Sequence, residues 1–168
     1  MATPNERLVY SAKQDAVEMM QEVLEGSEQF DVNWQDGLGN TALHYAASSP
    51  SPDALELLLD FEGTDVDLQN RLEGDTPLHL AVKLENEAAR RGVVEMLLEA
   101  GADPSIKDRH GRRPQDLLRP TSSAVDADIA QLFREALADR TRGNVANNAD
   151  LVDDSDGEPG SGSGSDDE

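Results

Sequence analysis

The chain contains no cysteine, which removes a disulfide framework and any thiolate metal site and fits a reducing compartment. Aromatic side chains make up only 4% of it, as one tryptophan, two tyrosines and three phenylalanines, so any core is mainly aliphatic. Basic residues are also scarce, with 14 Lys and Arg against 35 Asp and Glu, a net charge of −21. A field of that sign repels nucleic acid and anionic membranes and attracts basic partners, chiefly by raising association rates. Direct nucleic-acid binding is therefore not expected. No apolar run approaches the roughly 18–20 residues that span a bilayer. Met1-Ala2-Thr3-Pro4-Asn5-Glu6 also lacks the basic and apolar regions of a signal peptide. No membrane association is expected, and the expected location is the cytosol, the nucleus or both.

The ingredients of catalysis are missing too. Hydrolysis or group transfer needs a nucleophile beside a base, paired carboxylates at a pocket, a glycine-rich phosphate loop or a metal cluster. None of these patterns occurs. Gly37-Leu38-Gly39 has no third glycine and no accompanying strand, so it does not open a dinucleotide site. Of the three histidines, His44 and His79 fall in a repeated motif and His110 stands among basic neighbours. No enzyme activity, metal or cofactor is expected.

What the chain does have is an internal repeat. Gly39-Asn40-Thr41-Ala42-Leu43-His44-Tyr45-Ala46-Ala47 recurs 35 positions later as Gly74-Asp75-Thr76-Pro77-Leu78-His79-Leu80-Ala81-Val82. A period of that size marks a solenoid, in which each unit buries its apolar face only against its neighbours. Both copies carry their own helix-start chemistry. Thr41 and Thr76 suit the N-cap, where a hydroxyl accepts from an unpaired amide of the first turn, and Pro77 suits the first helical position. Gly39 and Gly74 supply the preceding turn, and the small Ala46, Ala47 and Ala81 allow close approach of a neighbouring helix.

Thr-Pro-Leu-His-Leu-Ala, followed some twenty residues later by Leu97-Leu98-Glu99-Ala100-Gly101-Ala102-Asp103, resembles the ankyrin repeat in residue order and spacing. The resemblance implies units made of a β-turn finger and two antiparallel helices, stacked so that fingers and first helices form a partner-binding face. It also implies that His44 and His79 are structural, joined to the threonine hydroxyl and to the backbone of the next finger. The fold expected is an all-α ankyrin solenoid of four units with a disordered acidic tail.

The units are expected at about 5–33, 34–69, 70–106 and 107–139. The first, degenerate unit pairs a helix carrying Leu8, Val9 and Ala12 with one carrying Val17, Met20, Val23 and Leu24 at helical spacing. In the second, Pro50-Ser51-Pro52 forms the inter-helix turn and Asp53 caps the helix of Ala54, Leu55, Leu58 and Leu59. The third holds four extra residues, placed in an inter-helix loop around residues 84–91. In the fourth, Arg113 and Asp116 replace the Thr and His, Pro120 ends the first helix, and Ile129, Leu132, Phe133 and Leu137 line a last helix from about Asp126 to Asp139. The repeat domain is thus expected over 1–142. Residues 143–168 hold eight acidic residues and no basic or aromatic one, too little apolar surface to offset the entropy of ordering. Subtracting that tail leaves −13 on residues 1–142.

Candidate partner-binding residues are finger and first-helix positions that the repeat does not itself need. Trp34 stands where related repeats have a small residue, Leu38 and Leu72 fall at finger tips, and Asp36, Asn40, Glu73 and Asp75 surround them. Such a set suits a partner bearing Arg or Lys and an apolar stem; the alternative for Trp34 is core packing. Lys107, Arg109, Arg112 and Arg113 make the fourth finger basic, so a basic partner should favour the other units. Ser155 and Ser165 are each followed at +3 by an acidic residue, a pattern for acidophilic kinases. Two functions remain open. One is a chaperone or escort for a basic client such as a newly made ribosomal protein, because the layout is similar to small acidic fungal ankyrin-repeat chaperones. The other is a generic ankyrin adaptor holding an enzyme or transcription factor. Either is expected to be monomeric when free.

Overall fold

The computed structural model describes residues 2–49 and 51–151, with side chains through residue 143. Among the described residues there are helices and turns and no strand. The chain divides into two compact units, Met1–Phe133 and Arg134–Glu168.

The first unit is a double row of helices. One row holds α1 (Pro4–Gln14), α3 (Ala42–Ser48), α5 (Pro77–Ala81) and a 3-10 turn (Pro114–Leu117); the other holds α2 (Val17–Glu25), α4 (Pro52–Asp60) and α6 (Glu87–Glu99). α1 packs on α3, α3 on α5 and α5 on the 3-10 turn, while α2 meets α4 and α4 meets α6. The first row can be tight because its inward side chains are small: Ala12, Ala46, Ala47 and Ala81 are wholly buried. Larger apolar side chains, Leu55, Leu58, Val94, Leu97, Ile129 and Phe133, are buried as well. A dispersed aliphatic core follows from the shortage of aromatics.

The expected helix starts hold. Thr41 and Thr76 are N-caps whose hydroxyls accept from the amides of His44 and His79, and Pro77 is the first residue of α5. The first unit begins earlier than expected. Thr3 caps α1 and Glu6 reaches back to the Thr3 amide at 3.2 Å, a capping box with glutamate in the histidine position. In the second unit Ser51, not Asp53, occupies the N-cap position of α4, and its hydroxyl donates to the Asp15 carboxylate. Pro52 is the reason, since a proline takes the first helical position and moves Asp53 into the first turn. Pro50 lies outside the described residues.

The inserted loop of the third unit is shorter than expected. Asn86 caps the amide of Ala89 at 2.9 Å, so residues 87–91 are already helix. The fourth unit keeps half of the box, the Asp116 carboxylate accepting from the Arg113 amide at 2.8 Å. Pro120 follows the end of the 3-10 turn, as expected of it. The last helix, α7, runs over Ala124–Leu151, past the expected end at Asp139, and the sequence has no proline between Pro120 and Pro159 to stop it. Within Arg134–Glu168 the Thr141 hydroxyl donates to the Leu137 carbonyl at 2.9 Å. The acidic stretch 152–168, with Ser155 and Ser165, lies outside the described residues.

Candidate partner-binding face

Each finger is shaped by one side chain. Asp36 accepts from the amides of Leu38 and Asn40 at 3.0 Å; Asn70 does the same for Glu73 and Asp75, and Asp108 for His110 and Arg112. Short polar side chains that bond two residues ahead favour such turns. Neighbouring fingers are then tied together. The Arg71 amide donates to the Leu38 carbonyl and the Arg109 amide to the Glu73 carbonyl, both at 2.9 Å. Gln35 bridges the Gly39 and Gln69 carbonyls, and Gln69 bridges those of Gly74 and Lys107.

The box histidines complete the ties. His44 Nδ1 accepts from the Thr41 amide at 3.0 Å, so its proton is on Nε2, which donates to the Asp75 carbonyl at 3.0 Å. His79 repeats this with Thr76 and the Arg112 carbonyl, at 3.1 and 2.8 Å. Burial pushes the His44 imidazole below its usual pKa, against the opposing pull of the Asp75 carbonyl. A neutral ring is what this geometry needs.

The expected binding residues separate into two groups. Leu38 and Leu72 are exposed, at 53% and 58%, and the Arg71–Leu38 backbone bond puts their fingers side by side. The polar members are engaged within the protein. Asp36 also accepts from the Tyr45 hydroxyl. Burial alone would raise the Asp36 pKa, but the bonds from Tyr45 and the Asn40 and Leu38 amides outweigh it and hold the carboxyl below its usual range. Asn40 donates to Tyr45 and accepts from Asn70 at 3.0 Å. Glu73 meets His110 Nε2 at 2.9 Å, and Asp75 is buried with Lys83 Nζ at 2.7 Å. Trp34 is half-buried against the core.

Two exposed features were not anticipated. Tyr10 of α1 is 53% exposed, and Lys13 lies 4.7 Å over the Tyr45 ring. An apolar residue on the polar side of an amphipathic helix is the signal that marks Tyr10. In the basic fourth finger, Arg112 pairs with Asp108 at 3.1 Å and Arg113 with Asp116 at 3.4 Å.

Asp75, His79 and Asp108 come close enough together to suggest a metal site. The donor set does not fit one. Both ring nitrogens of His79 are used in hydrogen bonds, Lys83 neutralises Asp75 and Arg112 neutralises Asp108, although Asp75 Oδ1 itself has no partner. A cation there would have to break the ties between units.

Known proteins share this organisation. A family model described as Ankyrin repeats (3 copies) matches residues 8–108. An ankyrin repeat-containing protein of Saccharomyces cerevisiae is 35% identical over 125 residues, 71% of this chain and 68% of that protein. NF-kappa-B inhibitor delta of Homo sapiens is 35% identical over 82 residues, 48% of this chain and 26% of its own length. The crystal structure of an ankyrin repeat protein superposes with a TM-score of 0.69 at 29% identity, covering 79% of this chain and 69% of that one. With the repeated capping boxes, the finger ties and these matches together, the chain belongs to the ankyrin-repeat family, whose fold is a protein–protein interaction module.

Proposed function

We propose that this protein is an acidic escort for a basic client, most concretely a newly made ribosomal protein, and that it catalyses no reaction. The observation that carries this reading is the net charge of −21 on a module whose fold serves to hold other proteins. Carboxylates on such a module substitute for RNA phosphate, screening Arg and Lys patches of a client until it is assembled. The reading places the protein in the cytosol, the nucleus or both, as a free monomer that binds neither nucleic acid nor membrane directly. It treats the repeat domain as residues 1–142 and the acidic remainder as a second, solubilising or client-contacting element.

A second reading is favoured by Leu38 and Leu72, which stand exposed on adjacent finger tips. Exposed apolar tips suit a regulatory adaptor that grips an enzyme or transcription factor. The relative named as an inhibitor of NF-kappa-B is consistent with it. Affinity purification of the intact chain and of a chain ending at Arg142 separates the two. A basic ribosomal or histone-like client that is released as salt rises supports the escort. A neutral or acidic client retained at high salt, with or without the tail, rejects it.

A further inference from the structure

Half of the acidic excess of the Met1–Phe133 unit is carried by one row of helices. α2, α4 and α6 each contain three acidic residues, and their two arginines are both on α6 and both taken, Arg90 by Asp126 and Arg91 by Glu95. On the finger row the balance is different. Arg7, Lys13, Arg71 and the basic fourth finger lie there, and its acids are engaged: Asp36 and Asp108 by finger amides, Asp75 by Lys83, Glu73 by His110. A basic partner meets little available negative charge on the fingers.

The outer row also offers shape. A cleft of ≈ 430 Å³ between α4 and α6 is lined by Glu56, Leu59, Asp60, Met96, Glu99 and Ala100. Leu59 and Met96 are half-buried, so the floor is apolar. Glu56, Asp60 and Glu99 are exposed, and among the described residues none takes part in an ion pair or side-chain hydrogen bond. A second cleft of ≈ 280 Å³ on the other side of α4 shares Glu56 and Asp60 and adds Val17, Gln21 and Asp53.

Resting on the basic-client reading above, we infer that the client docks in the α4–α6 cleft as a basic amphipathic helix. A helix seats well in a groove between two helices. Its apolar stripe lies on Leu59 and Met96, and Lys or Arg residues at its edges reach Glu56, Asp60 and Glu99, their methylene stems covering the rim. Charge complementarity selects this occupant. An acidic or neutral helix would leave three unpaired carboxylates facing it, and a nucleic acid would be repelled by them.

The test uses the full chain and a synthetic peptide of about 18 residues, five helical turns, with leucines on one side and lysines and arginines on the other. A scrambled peptide of equal composition is the control, and affinity is measured at about 0.15 M salt, where diffuse charge is screened beyond about 8 Å. Glu56→Lys, Asp60→Lys and Glu99→Lys together are expected to weaken the amphipathic peptide by about tenfold or more, the scale of losing paired charges at a contact. Glu18→Lys, Glu22→Lys and Glu25→Lys on α2 change net charge equally and are expected to cost less than about threefold. The neutral set Glu56→Gln, Asp60→Asn and Glu99→Gln repeats the measurement should the lysines unfold the protein. Equal losses from the α4–α6 and α2 sets overturn the docking site in favour of a diffuse field. Loss only on Leu38→Ala with Leu72→Ala moves the client to the fingers and overturns the site while sparing the basic-client reading. Failure of both peptides to bind at any salt removes the reading and the site together.

Discussion

His44 Nε2 donates to the carbonyl oxygen of Asp75 at 3.0 Å, across 31 positions of sequence, while its Nδ1 accepts from the Thr41 amide three positions away. One ring thus closes its own helix start and fastens the next finger to it. His79 does the same between the third and fourth units. The stack is held by backbone groups bridged through these rings, so a local motif becomes a long-range tie.

Removing such a ring should cost far more than its buried area. His79→Ala leaves the Thr76 amide and the Arg112 carbonyl without their partners in a buried site. An unpaired buried polar group costs about 1–3 kcal/mol, so a loss on the order of 3 kcal/mol is expected. Chemical denaturation of the variant, read as a shift of the midpoint at unchanged slope, checks it. His110→Ala, at an exposed finger position paired with Glu73, should stay within about 0.5 kcal/mol of the parent.

The His44 ring gives a pH dependence with a fixed sign. The folded state holds the His44 pKa below the unfolded value, so the unfolded chain binds more protons as pH falls through about 6.5, and stability is lost below that pH. The lowered Asp36, Asp108 and Asp116 act in a separate window. Their contribution is present above an unfolded pKa near 4 and is lost as pH falls through their depressed folded values. An NMR titration should place the His44 midpoint below that of free imidazole. A midpoint at or above the free value refutes the assignment.

How much of this was legible in the sequence depends on how local each signal was. The Thr-x-x-His boxes, the finger glycines and the alanine stripe are short-range patterns, and the structure puts them where their chemistry predicts. Thr3-Pro4-Asn5-Glu6 does not match Thr-x-x-His, yet its glutamate performs the same back-bond. Residues 87–91 read as insertion because the spacing between boxes is long there, although Asn86 followed by Glu87, Ala88 and Ala89 is itself a helix start. The engagement of Asp36, Asn40 and Asp75 was not legible at all. It depends on Tyr45, Asn70 and Lys83 folding back over them, which no spacing rule reports.

Arg90 illustrates a tie of the non-local kind. Its Nε donates to Asp126 at 2.8 Å and its Nη1 to the Leu84 carbonyl at 2.6 Å, and Asp126 also accepts from the Arg119 amide at 2.8 Å. Both charged side chains are nearly buried, at 11% and 8% exposed. Asp126→Ala therefore takes the buried counterion from Arg90, leaving it the Leu84 carbonyl and the exposed Glu87 carboxylate at 3.6 Å, and should cost about 3 kcal/mol. Replacing both, Arg90→Met with Asp126→Leu, should recover much of that loss, since an apolar pair of similar volume escapes the desolvation penalty. A double-mutant cycle by denaturant titration measures the recovery, and a double variant no better than Asp126→Ala contradicts it.

The finger turns supply the last prediction, because two equivalent glycines face different amounts of room. Both adopt left-handed backbone, Gly39 with φ of +81° and Gly74 with φ of +71°, which costs a non-glycine residue about 1–2 kcal/mol on its own. A Cβ on Gly39 would also stand 2.3 Å from the Arg71 amide nitrogen, the group that donates to the Leu38 carbonyl. A Cβ on Gly74 would reach the Arg109 amide nitrogen only at 3.0 Å. Gly39→Ala should therefore exceed Gly74→Ala by about 1 kcal/mol or more, since it must also push two fingers apart. Hydrogen exchange at the Arg71 amide locates the effect: protection there should fall in Gly39→Ala and persist in Gly74→Ala. Equal stability losses in the two variants, with Arg71 protected in both, would mean that the fingers are not held by that bond.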